Sequence, residues 1–170
     1  MSSKRNRILV VGAALAALTL SVVILLCFRE PHLVLENAES GQIRFTTPIQ
    51  EGEQFAIGYI HSVNQSPVAE IYEIRDGRIV LVAFEFEAFG AGIPTELEPG
   101  QTLIHLPEGG MRIEGFDRVI LDLRYLIAHA TNLTLYIQGS EVPLNSLDQA
   151  GQSLRFSVRE LNLWQRWRAL

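Results

Sequence analysis

The sequence has one cysteine, Cys27, so no intrachain disulfide can staple the fold. Lysine is almost missing as well: Lys4 is the only one, and from Pro31 onward ten arginines face eighteen acids. A surface of that sign repels polyanions and gains nothing from anionic lipid, which argues against a nucleic-acid-binding class. There is no HExxH pair, no Asp-rich calcium loop, no internal repeat and no low-complexity run. "GAGIPT" lacks the third glycine of a dinucleotide fingerprint, and no helical pattern follows it. No cofactor is expected.

Apolar residues are in excess, and much of the excess sits in one place. Ile8 to Phe28 runs for 21 residues without a charge. At about 1.5 Å rise per residue such a run covers roughly the 30 Å of a bilayer's hydrocarbon core. Lys4, Arg5 and Arg7 precede it, while Arg29 and Glu30 cancel after it. The positive-inside rule then predicts a cytoplasmic tail over 1–7, a membrane anchor over 8–28 and an extracytoplasmic remainder. A cleaved signal would carry a shorter apolar core of about 7–15 residues and small residues at its end, and "LLCFREP" offers bulky ones. The protein is accordingly expected to be a single-pass cell-membrane protein.

Residues 31–157 read as strands. Segments such as "QIRFTTPI", "EQFAIGYIHS", "AEIYEIR" and "RIVLVAFEFEAF" are rich in β-branched and aromatic residues, with "QEGE", "RDGR" and "LEPGQ" as turns between them. This spacing predicts an all-β domain, an antiparallel sandwich or barrel, after one transmembrane helix. "DRVILDLRYLIAHA" is ambiguous between a strand and a short helix. Residues 158–170 predict an amphipathic helix with Trp164 and Trp167 on one stripe. Packing on the domain's own core is one reading of that stripe, and contact with a membrane interface is the other.

Asp76-Gly77 signals a two-residue hairpin that sets Arg75 opposite Arg78. An unbroken ladder from there sets Glu70 opposite Ala83 and Pro67 opposite Phe86. His61 would then face Glu70 across the next hairpin, with Glu85 and Glu87 alternating along the same face. Val80, Val82, Phe84 and Phe86 would form the core face. A His61–Glu70–Glu85 cluster could ligate a divalent metal, although no established metal motif is present, so no metal site is assigned. Glu85 and Glu87 could serve as an acid–base pair, against the plainer reading of a wet sheet face. Ser62 beside His61 makes a poor nucleophile pair, because adjacent strand residues point to opposite faces.

"HSVNQSPVAEIYEI" followed by "FEAFGAGIP" resembles the domain of unknown function 1850 family. The matching residues are His61, Ser62, Val63, Pro67, Val68, Glu70, Phe89, Gly90, Ala91, Gly92 and Pro94, while Asn64 and Ala88 depart from the pattern. The resemblance implies a small exported or membrane-anchored protein that accompanies TRAP-type transporters of the TAXI branch. Its partner would then be the permease or the TAXI solute-binding protein. The candidate ligand- or partner-binding residues are His61, Ser62, Glu70, Glu85, Phe89, Gly90, Gly92 and Pro94; no catalytic residue is implied. An exported metal-dependent hydrolase and a purely structural β module stand as alternatives.

Overall fold

The computed structural model describes residues 2–63, 65–90, 96–128 and 132–168. A helix, α1 (Ser2–Cys27), leads into β1 (Arg29–Asn37), β2 (Ile43–Pro48), β3 (Gln54–Ile60), β4 (Pro67–Arg75) and β5 (Arg78–Phe86). There follow β6 (Thr102–His105), β7 (Met111–Val119), β8 (Leu123–Leu126), β9 (Thr134–Ile137), β10 (Ser140–Pro143), β11 (Ser153–Asn162) and the short α2 (Leu163–Arg168). The strands make a four-stranded sheet, β2-β1-β11-β8, and a seven-stranded sheet, β10-β9-β3-β4-β5-β7-β6. Every strand pairing is antiparallel. The all-β expectation holds, and the ambiguous 117–130 segment contributes the end of β7 and all of β8 rather than a helix among its described residues.

The two sheets face each other across one main core. Leu33, Leu35, Leu154 and Phe156 from the small sheet meet Phe55, Ile57, Ile74 and Leu135 from the large one. All eight are no more than 3% exposed, which for residues of this size stabilises the sandwich by about 1.5–3 kcal/mol each. A second inner cluster, Val68, Phe84, Phe86 and Ile113, continues the large sheet's apolar face.

The β4–β5 hairpin turns as the sequence predicts. Asp76 and Gly77 both take positive φ (51° and 67°), and Arg75 pairs with Arg78. The predicted ladder fails four residues further on. A bulge between Ile71 and Tyr72 shifts the register, so Glu70 opposes Phe84 and Val68 opposes Phe86. One extra residue exchanges the faces beyond it. Glu70 therefore joins Phe84 and Phe86 on the inner face, while Val80, Val82 and Ala83 cluster with Ile71 away from them.

At the chain's start the described aliphatic side chains of α1, among them Val10, Leu15, Leu18, Leu20 and Ile24, are exposed. Side chains of α1 are described only at Val10 and from Gly12 onward, short of the full charge-free run. Among the described residues no helix is long and apolar enough to cross a membrane. At the other end β11 pairs with β1 as far as Asn162 with Arg29, holding residues 158–162 extended where a helix was expected. The helical turn starts only at Leu163.

Candidate functional site

The connection from β5 to β6 passes β7, because β7 lies between them in the sheet. The loops 61–66, 87–90 and 106–110 consequently leave the large sheet at one end, where Ile60 pairs with Pro67 and Phe86 with Met111. The first motif stretch and the described start of the second, Phe86–Gly90, meet there, as the hairpin argument predicts.

At this end a groove of about 560 Å³ opens on the outer face of the large sheet. One rung of the sheet runs Thr134–Gly58–Ala69–Glu85–Arg112, and the next runs Tyr136–Ala56–Ile71–Ala83–Glu114. Gly58, Ala69 and Ala56 give the groove a floor of small side chains. Tyr136 leans over that floor: a Cβ on Gly58 would stand 2.8 Å from its ring. Glycine inside a strand weakens it, so its presence marks a close approach, here of an aromatic ring. Glu85 lines the groove and is held by Arg112, whose Nη1 donates to Oε1 at 2.8 Å; Arg112 Nε also lies 2.7 Å from Glu114. Glu87 is an exposed carboxylate on the rim, and Gly110, at φ +85°, packs against the Phe86 carbonyl opposite it.

The eight sequence-predicted residues do not form one cluster. His61 does not face Glu70, because Glu70 pairs with Ile57 and the His61 backbone bonds with Ser66. Glu85 opposes Ala69 and so points to the face opposite Glu70. The bulge at Ile71/Tyr72 is the physical cause of that separation. His61 accepts a 3.3 Å hydrogen bond from the Val63 amide at Nδ1, and exposed Ser62 gives its carbonyl to Gln65 Nε2 at 2.6 Å. Phe89 is half exposed and sits edge-on to Phe86 with ring centroids 5.0 Å apart, and Gly90 follows it. Gly92 and Pro94, like Asn64, lie outside the described residues. Among the described residues no group of three or more His, Cys, Asp or Glu is arranged to hold a metal.

Glu70 instead sits in a network that sequence reasoning missed. Its Oε1 accepts from the Tyr59 hydroxyl at 3.2 Å, and its Oε2 from the Tyr72 hydroxyl at 2.5 Å and from that of Tyr125. The Tyr72 and Tyr125 hydroxyls are also 2.8 Å apart. Tyr125 belongs to β8 and the others to the large sheet, so one carboxylate ties the two sheets together. Burial first, then the negative charge of Glu70 and the bond to it, raise the Tyr59 and Tyr72 phenols far above their ordinary value. Tyr125 is raised most of all, by burial, then by the charges of Tyr72 and Glu70. The available signal was the spacing "EIY": an acid two residues from Tyr72, on a face otherwise apolar, needs a partner from across the core.

Fold and site together define a two-sheet antiparallel β domain with a small-floored groove at its motif end. The family model of the Domain of unknown function (DUF1850) matches residues 55–144, from β3 through the loop after β10, and the chain belongs to that family. No curated protein and no solved structure matches it.

Proposed function

We propose that this chain is a membrane-anchored, extracytoplasmic accessory protein of a TAXI/TRAP-type solute uptake system, and that its outer-face groove takes a segment of a partner subunit or a small solute. The observation that carries the reading is the position of the groove, at the sheet end where the His61–Pro67 and Phe86–Gly90 stretches emerge together. Its apolar floor and few polar rim groups suit a binding site better than a catalytic one, since binding pockets are mostly apolar with a few placed polar groups. The charge-free run from Ile8 to Phe28, with Lys4, Arg5 and Arg7 before it, supports the anchor and the orientation. Glu70 belongs to the scaffold in this reading, and Glu85 to the binding surface.

Filling the groove tests it. Gly58→Val combined with Ala69→Leu places branched side chains on the floor, away from the core between the sheets. The expected result is a folded chain that no longer supports uptake or co-purifies with transporter subunits. Undiminished uptake by the folded double variant would overturn the reading.

A further inference from the structure

The two tryptophans of the chain, Trp164 and Trp167, are both on α2, and they do not pack on the core. They are 44% and 68% exposed and stack on each other with centroids 5.4 Å apart and an interplanar angle of 29°. Leaving two large indoles in water is costly, yet their position is built rather than loose. Asn162 caps α2 reciprocally: its Oδ1 accepts from the Gln165 amide at 2.8 Å, and its own amide donates to Gln165 Oε1 at 3.0 Å. Asn162 Nδ2 also donates to the Leu26 carbonyl at 3.2 Å, and Arg166 donates to Glu30. The indole pair is thereby pinned beside the C-terminal end of α1.

At that level α1 and the segment after it expose Val22, Val23, Ile24, Leu26 and Phe28. A helix apolar on all its described sides needs an apolar surrounding. Indoles favour the adjoining zone, where an apolar ring body and a wet N–H edge are both accommodated. We propose that α2 is a membrane-interface seat: the Trp164–Trp167 pair lies in the headgroup region of the bilayer that α1 enters, and it holds the β-sandwich in a set orientation against that surface. The inference rests on the anchored reading above. Arg166 is engaged by Glu30, and the extracytoplasmic part is strongly acidic, so the seat works through the indoles and not through attraction to anionic lipid.

The full-length chain reconstituted into phosphatidylcholine vesicles carries its own probe, because all tryptophan emission comes from these two residues. Flotation with the vesicles reads the anchor; quenching by lipids brominated at different depths reads the seat. The expected result is co-flotation, blue-shifted emission, and the greatest loss of emission with bromines nearest the glycerol backbone, unchanged by high salt. Co-flotation without quenching, or with the strongest quenching at the acyl-chain ends, overturns the seat and leaves the anchor standing. Failure to float overturns both.

Discussion

Replacing Glu70 with glutamine keeps the side chain's shape and removes its charge. Two close phenol bonds, from Tyr72 and Tyr125, and one longer bond from Tyr59 at 3.2 Å end on this carboxylate. A hydrogen bond to a charged group is worth about 1.5–3 kcal/mol and a neutral one about 0.5–1.5, so each close bond loses about 1 kcal/mol. The amide nitrogen also brings hydrogens toward phenols that were donors, forcing at least one O–H to turn away. Glu70→Gln should therefore cost about 2 kcal/mol, with the long Tyr59 bond contributing little. Glu70→Ala removes the acceptor altogether and should cost about 3–5 kcal/mol, since only the Tyr72–Tyr125 contact remains to satisfy either hydroxyl. At about 3 °C per kcal/mol for a chain of this size, the glutamine variant should melt about 6 °C lower. The assay is thermal unfolding of the full-length chain in mild detergent, followed by near-UV circular dichroism, which reports tyrosine packing directly. Tyr125→Phe should be more damaging than Tyr59→Phe. A glutamine variant within about 0.5 kcal/mol of wild type, or an alanine variant no worse than glutamine, would refute the idea that the Glu70 carboxylate ties the sheets together.

Three further outcomes follow from the same geometry. Alkaline titration at 295 nm should show Tyr59, Tyr72 and Tyr125 ionising together with unfolding. Their folded values are raised, so the stability they contribute is full below about pH 10 and is lost as pH climbs above it; three ordinary titrations in a folded chain would contradict this. Burial pushes the Asp148 carboxyl up, but bonds from Asn37, Arg44 and the Gln149 amide outweigh it and hold it below its ordinary value. Its contribution is thus present at neutral pH and lost as pH falls through and below the carboxylate range, and Asp148→Asn should flatten the acid limb of a stability–pH curve. Gly115 sits at φ +89° with the Gly100 carbonyl oxygen 2.3 Å from where a Cβ would lie, so Gly115→Ala should cost about 2–4 kcal/mol in urea unfolding; a loss under about 0.5 kcal/mol would contradict that close contact.

The strands and the Arg75–Arg78 register were legible because alternation and an Asp-Gly turn are local signals. So was the meeting of the first motif stretch with the start of the second at Phe86, which one hairpin is enough to bring about. The faces beyond Ile71 were not legible. A bulge leaves no dependable mark in "AEIYEIRDGRIVLVAFEF", yet it puts Glu70 and Glu85 on opposite faces, while the tight β3–β4 connection, which sets Ile57 and not His61 opposite Glu70, removes His61 from the cluster. The tyrosine network depends on Tyr125, 55 positions away on the other sheet, and no local pattern reaches that far. Gly58 in "FAIGYI" did carry a signal for the groove, as a glycine in mid-strand, but its cause was a ring from β9. The terminal stripe showed that α2 would have an aromatic side. That this side stands exposed beside the end of α1 depends on the contacts of Asn162 with Leu26 and of Arg166 with Glu30, which no local pattern announces.

The proposed role requires the outer-face groove to engage another component of an uptake system. A photo-crosslinking amino acid at Ala69, on the groove floor, and a control at Arg118, an exposed site on β7, would be compared in native membranes. One discrete adduct is expected from position 69, containing a transporter permease or its solute-binding protein, and none from position 118. Should the solute alone fill the groove, that solute added in excess would protect position 69 from every adduct. Equal adducts from both positions, or none from position 69 with no solute able to alter its reactivity, would contradict the claim.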